Sequence, residues 1–241
     1  MKLEGRVALV TGASHGLGLA IARALAAEGA TLALVARPGE ALDRAAGALA
    51  GAGATAAAFG ADVSSAAQVD LAVRAVVERW GRIDILVLNA GTWQGAPIAE
   101  TDEAVWDHLI DLNLKGAFLV LKAATPWLIA QRSATVIGIS SLGGWVGQPG
   151  SGAYAASKWG LRGLLESAAL ELKSHRVRVS IVSPHNMNSA GRAIDPDSPE
   201  RDRNLEPAEV ASLIAWICTA PDHVSLGNVT IWPLAAGIRS F

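Results

Sequence analysis

Cysteine occurs once, at Cys218, so a disulfide framework and a thiolate metal cluster are both excluded and no metal site is expected. Read alone, Cys218 is a small buried apolar residue on a late helix. Tyrosine also occurs once, at Tyr154, in a chain with eight tryptophans. Charge is sparse and balanced: 17% of residues are charged, the net charge is −2 and the pI is near 6.2. That leaves no basic footprint for nucleic acid or an anionic membrane. Long apolar runs are missing as well. The uncharged stretch Ala45 to Ala61 is broken by four glycines and is no membrane span. The opening MKLEGRVALVTG puts an acid before a short apolar run, which is not a secretory signal, so a cytoplasmic protein is expected.

What the chain does have is apolar bulk. Of its 241 residues 51% are hydrophobic, and mean hydropathy is +0.33, which excludes disorder and allows one sizeable core. Short β-branched runs at 6–11, 31–36, 55–59, 84–88, 134–140, 177–183 and 229–232 read as strands. Amphipathic stretches at 17–29, 66–81, 104–128, 153–172 and 207–218 read as helices between them. Near-continuous apolar strands alternating with helices predict an α/β fold: a Rossmann-type doubly wound sheet of seven mostly parallel strands, helices on both faces. No linker divides the chain, so residues 1–241 are expected to form a single domain. The polar segment 185–206 breaks the rhythm and reads as a substrate lid.

Two motifs carry chemistry. The first strand runs through TGASHGLG, residues 11–18, straight into a helix. Gly12, Gly16 and Gly18 allow a tight turn and close approach to a pyrophosphate at the helix N-terminus. The spacing is G-x-x-x-G-x-G, so it matches the dinucleotide fingerprint in mechanism and not in letter. Further on, Tyr154 and Lys158 stand at i and i+4, on one helix face. An ammonium beside a phenol favours the phenolate and should lower the phenol pKa, making Tyr154 a usable acid/base. Taken alone, the same pair also fits a packed tyrosine and a solvated lysine.

Together these motifs resemble the short-chain dehydrogenase/reductase family, over essentially the whole length. The resemblance rests on Thr11–Gly18, on NAG at Asn89–Gly91, on Asn113 in LNLKG, on Ser141 thirteen residues before Tyr154, and on Y-x-x-x-K. It implies a catalytic set of Asn113, Ser141, Tyr154 and Lys158. Tyr154 would serve as general acid/base, Lys158 would tune it and hold the cofactor ribose, Ser141 would bind the substrate oxygen, and Asn113 would hold a water. It implies cofactor contacts from Gly12, Ser14, His15, Gly16, Leu17 and Gly18, from Asp62 and Val63 beside the adenine, and from Asn89, Ala90 and Gly91. Pro184, Met187 and Ser189 complete that set. At the end of the second strand, where an acid would bind the ribose hydroxyls of NAD, the chain has Ala36 and then Arg37. Arg37 can pair with a 2′-phosphate, which predicts NADP(H) as cofactor.

The chain departs from the family after the sixth strand, where SPHNMNSA puts His185 in place of the usual glycine. His185 either lines the substrate pocket or is a structural substitution. Trp93 and Trp145 are expected to wall that pocket, suiting an apolar or ring-bearing substrate. The function expected is NADPH-dependent reduction of a small ketone or aldehyde, reversible as an alcohol dehydrogenase. The alternative is a cofactor-binding regulator or scaffold with little turnover. Resemblance also implies a homotetramer built on the 104–128 and 153–172 helices, although a dimer fits their apolar faces equally.

Overall fold

The computed structural model describes residues 1–188, 198 and 200–236. Seven strands form one sheet: β1 (Val7–Thr11), β2 (Thr31–Ala36), β3 (Ala56–Gly60), β4 (Ile85–Leu88), β5 (Ala134–Ile139), β6 (Val177–Pro184) and β7 (Asn228–Ile231). Their order is β3-β2-β1-β4-β5-β6-β7, and every neighbouring pair is parallel. The expected fold class holds, with parallel pairing throughout rather than in the main.

Strand side chains alternate between two cores because successive residues face opposite sides of a sheet. Ala8 and Val10 join α1 (Gly16–Ala27), α2 (Glu40–Gly51) and α7 (Pro207–Thr219) on one face. Val7 and Leu9 join α3 (Ala66–Trp80), α5 (Gly116–Ile129) and α6 (Gly152–Leu172) on the other. With both faces covered, β1, β5 and β6 are buried at every position; β1 and β5 therefore read as near-continuous apolar runs, while β6 also buries Arg178, Ser180 and Ser183.

One helix went unread in the sequence, and one helical expectation needs correction. The uncharged stretch around Ala45 contains α2, whose Leu42, Ala45, Ala46 and Leu49 are buried at helical spacing. Its stripe of alanines is too weakly apolar to stand out. The stretch 104–128 is not one helix but α4 (Glu103–Ile110), a single π turn (Asp111–Lys115) and α5. An extra residue in that turn swings Asn113 inward, to 1% exposure.

The chain leaves β1 and β4, which are neighbours, towards opposite edges of the sheet. A crevice therefore opens at their carboxyl ends, the usual ligand position in such sheets. Of the expected lid at 185–206, Ser189 and residues 190–197 lie outside the described residues. Its described base is tied down: Leu205 N–H donates to Asn186 O at 2.8 Å, and Asn188 N–H to Leu205 O at 2.7 Å. Among the described residues no helix is long and apolar enough to cross a membrane.

Candidate active site

The turn between β1 and α1 is built for close approach. Gly12 and Gly16 hold φ of 65° and 54°, the left-handed region that glycine enters freely. At Gly18 an added Cβ would run into the Gly12 carbonyl oxygen and stand 2.6 Å from Asn89 Nδ2. Among the described residues no side chain caps α1 at His15, and its first turn holds no acid. Its free N–H groups and the positive end of its dipole suit an anion, so the turn fits a pyrophosphate. The Leu17 side chain is buried in the core, leaving only its backbone for that purpose. Ser14 Oγ lies 2.9 Å from His15 Nδ1, and both His15 and Arg37 are exposed.

A knot at the switch point holds this turn. Thr11 Oγ1 donates to Val87 O at 3.1 Å and accepts the N–H groups of Asn89 and Ala90 at 2.9 and 3.0 Å. Asn89 Nδ2 donates to Thr11 O at 2.9 Å and Gly12 O at 3.4 Å. Asn89 thus acts on the shape of the cradle from within. Asp62 is held below the usual carboxyl range by hydrogen bonds from the Ser64 side chain and backbone, with a smaller pull from Arg37. The Val63 side chain lines a small pocket with Thr11, Leu88 and Ala90 at the switch point. It is buried, and a Cβ at Gly116 would lie 2.9 Å from its Cγ2.

Asn113 forms a strap. Its Oδ1 accepts Thr92 N–H at 2.8 Å, and its Nδ2 donates to Thr92 O and Ser157 Oγ, each at 3.0 Å. Sequence reasoning missed Thr92 and Ser157, although Ser157 follows Tyr154 by three residues and its hydroxyl donates back to Tyr154 O at 2.7 Å. At Gly91 a Cβ would lie 2.9 Å from Asn113 Oδ1 and 3.5 Å from Lys158 Nζ. Gly91, Asn113 and Lys158 therefore meet at one point. Trp93, directly after the strap, is 64% exposed.

Tyr154 and Lys158 stand one turn apart on α6, and Ser141 begins the short turn Leu142–Gly144 after β5. Burial holds the Tyr154 phenol above its usual value of 10.0, and hydrogen bonding with the Ser141 side chain opposes that shift. This corrects the expectation that Lys158 depresses it. Lys158 Nζ is turned to the Ile139 carbonyl, donating at 2.9 Å, and lies 5.8 Å from the Tyr154 ring centroid. Burial also pushes the Lys158 ammonium from 10.5 down to about 8. An unfolded lysine keeps its proton up to the higher value, so folding is penalised below the lower one and recovers as pH rises between them. From about pH 8 to about pH 10 wild-type stability should gain about 2 kcal/mol from this source. Urea melts across that window should show the gain missing from Lys158→Met; equal slopes would refute it.

The remaining expected residues lie around this centre. Pro184 is buried at the end of β6, and Met187 packs against the core beside Leu205. The backbone N–H of His185 donates to Ile231 O at 2.8 Å, and burial lowers its imidazole pKa. Among the described residues its Nδ1 is buried without a partner. Trp145 Nε1 donates to Ser183 Oγ at 3.0 Å, and the ring lies under Arg162.

The chain is similar to known proteins over nearly its whole length. The model of the short chain dehydrogenase family matches residues 6–197. An uncharacterized oxidoreductase of Staphylococcus epidermidis is 34% identical, over 97% of this chain and 99% of its own. A 3-oxoacyl-(acyl-carrier-protein) reductase of Thermotoga maritima is 33% identical, over 95% of this chain and 96% of its own. Among solved structures, a metagenomic short-chain oxidoreductase in complex with NADP is 39% identical with a TM-score of 0.84, covering 97% of this chain and 99% of that one. An alcohol dehydrogenase of Thermococcus sibiricus complexed with 5-hydroxy-NADP is 29% identical with a TM-score of 0.90, covering 98% and 99%.

Proposed function

The chain belongs to the short-chain dehydrogenase family, and from that premise we propose that it is an NADPH-dependent carbonyl reductase, reversible as an alcohol dehydrogenase. The observation that carries this reading is the convergence of Gly91, Asn113 and Lys158, with Tyr154 and Ser141 alongside, in the crevice next to the uncapped head of α1. When bound, the cofactor supplies the hydride and the protein supplies position and electrostatics.

The chain's own residues divide the remaining work. Tyr154 Oη donates a proton to the oxygen of the substrate carbonyl, stabilising the charge that builds there. Ser141 Oγ hydrogen-bonds the same oxygen and fixes its direction. Lys158 reaches the cofactor ribose and passes a proton back towards Tyr154. The Asn113 side chain is committed to Thr92 and Ser157, so its backbone in the π turn is the part left to hold a water. The backbone N–H groups of residues 12–18 take the pyrophosphate. Trp93 offers an apolar wall to the substrate, with residues 185–206 as the lid of a single domain. Exposed Trp106, Phe118, Trp127 and Trp159 on α4, α5 and α6 support burial of those faces in a homotetramer.

NADP preference follows from Ala36, Arg37, Ser14 and His15: no carboxylate closes β2, and a cation and a hydroxyl stand nearby. With a panel of ketones and aldehydes, NADPH oxidation should be observed and kcat/KM should favour NADPH over NADH. Arg37→Ala should lower kcat/KM for NADPH by about 10–100-fold, the worth of one charge-assisted pair, and leave NADH unaffected. Silence across the panel despite tight NADPH binding would replace this reading with a cofactor-binding regulator.

A further inference from the structure

Ser141 and Tyr154 stand on different elements, so their register depends on how the Leu142–Gly144 turn docks on α6. The inner side of that turn is tightly seated. A Cβ at Gly143 would lie 3.1 Å from Tyr154 Cε1, and one at Gly144 would meet Ser140 Oγ and lie 3.1 Å from Lys158 O. The outer side is held by a residue that the reaction does not use. Arg162, one turn beyond Lys158 on the same face of α6, donates from Nη1 to Gly144 O at 2.8 Å. Its guanidinium carbon stands 3.5 Å from the centroid of the Trp145 ring and 5.4 Å from that of Trp159. Trp145 is in turn fixed to β6 through Ser183.

The Arg162 side chain is only 16% exposed, so these contacts are not those of a solvated surface cation. Its pairing with Glu166 at 3.3 Å is a peripheral i,i+4 contact with a half-exposed carboxylate, which adds little. The contacts that decide its placement are the carbonyl and the indole, and a planar guanidinium serves both at once where an ammonium does not. Among the described residues its Nε is buried without a partner, a cost accepted for that geometry.

We infer that Arg162 is a positioning residue that clamps the Ser141 turn onto the Tyr154 helix, with Trp145 as its stacking base. The inference rests on the reading of Ser141 and Tyr154 given above. It also gives Trp145 a task other than walling the substrate: it transmits the position of β6 to the turn. Loosening the clamp should let Ser141 drift from the phenol without touching the nucleotide cradle.

The single tyrosine makes a direct test possible. Isotope-labelled tyrosine gives one ring signal by NMR, and its titration and neutral-pH shift report the phenol in the protein alone. In Arg162→Met the phenol should titrate at higher pH than in wild type, because Ser141 no longer opposes the effect of burial. The kcat for carbonyl reduction should fall about tenfold, as a small misplacement does, with KM for NADPH unchanged within about twofold. Arg162→Lys should recover part of both, since it reaches Gly144 O without the stack. A folded Arg162→Met protein with an unshifted tyrosine signal overturns the proposal. Should that variant not fold, Trp145→Leu takes its place with the same readouts. A wild type silent towards every carbonyl sinks the proposed reaction, and the tyrosine titration still decides the clamp.

Discussion

Replacing Tyr154 by Phe is expected to lower kcat and kcat/KM for carbonyl reduction together, by about 10²–10⁴-fold, the range supplied by a positioned proton donor. The ring that packs against Gly143 remains, so the turn keeps its seat on α6. Only the hydroxyl is lost. The cradle at residues 12–18 touches none of it, so the Kd for NADPH should stay within about twofold. Burial keeps the wild-type phenol protonated well past neutral pH, which is the form a donor needs. Reduction should therefore be flat through neutrality, and alcohol oxidation, which needs the phenolate, should rise with pH. Steady-state rates in both directions, with cofactor fluorescence for Kd, measure all of this. A Phe variant within tenfold of wild type would remove Tyr154 from the chemistry.

The centre of the sheet was legible because its strands are buried on both faces. A run such as VALVT has no solvent side to interrupt it, and its neighbours, spaced by helical patterns, follow as parallel strands. Helix α2 was not legible. Its alanines bury little area each, and a stripe that weak is hidden by the glycines around it. The π turn was invisible for a different reason: one inserted residue leaves hydrophobic spacing almost unchanged while rotating Asn113 into the site. Motif spacing brought Ser141, Tyr154 and Lys158 to one place, but not their electrostatics. An i,i+4 pair on paper predicts attraction between phenolate and ammonium. In the fold the ammonium points at the Ile139 carbonyl, and burial moves both groups towards their neutral forms.

The glycine cradle offers the sharpest steric prediction. Gly18→Ala adds one methyl where the Gly12 carbonyl oxygen already stands, with Asn89 Nδ2 at 2.6 Å. Both obstacles belong to the knot that joins β1 to β4: one is backbone, and the other is an amide already bonded to Thr11 O. Neither can swing aside, so the turn must open. Stability should fall by about 1–3 kcal/mol, the usual cost of overpacking. NADPH affinity should fall by about a hundredfold or more, because losing two N–H bonds to phosphate is enough for that. Gly163→Ala supplies the contrast. It is exposed on α6 with nothing within 4 Å of an added Cβ, so the same change should raise stability by about 0.5–1 kcal/mol through helix propensity alone. Urea melts and NADPH titrations of both variants separate the steric demand of the cradle from the general cost of glycine. If Gly18→Ala bound NADPH as wild type does, the turn at residues 12–18 would not be holding the pyrophosphate, and the placement of the cofactor over Tyr154 would fall with it.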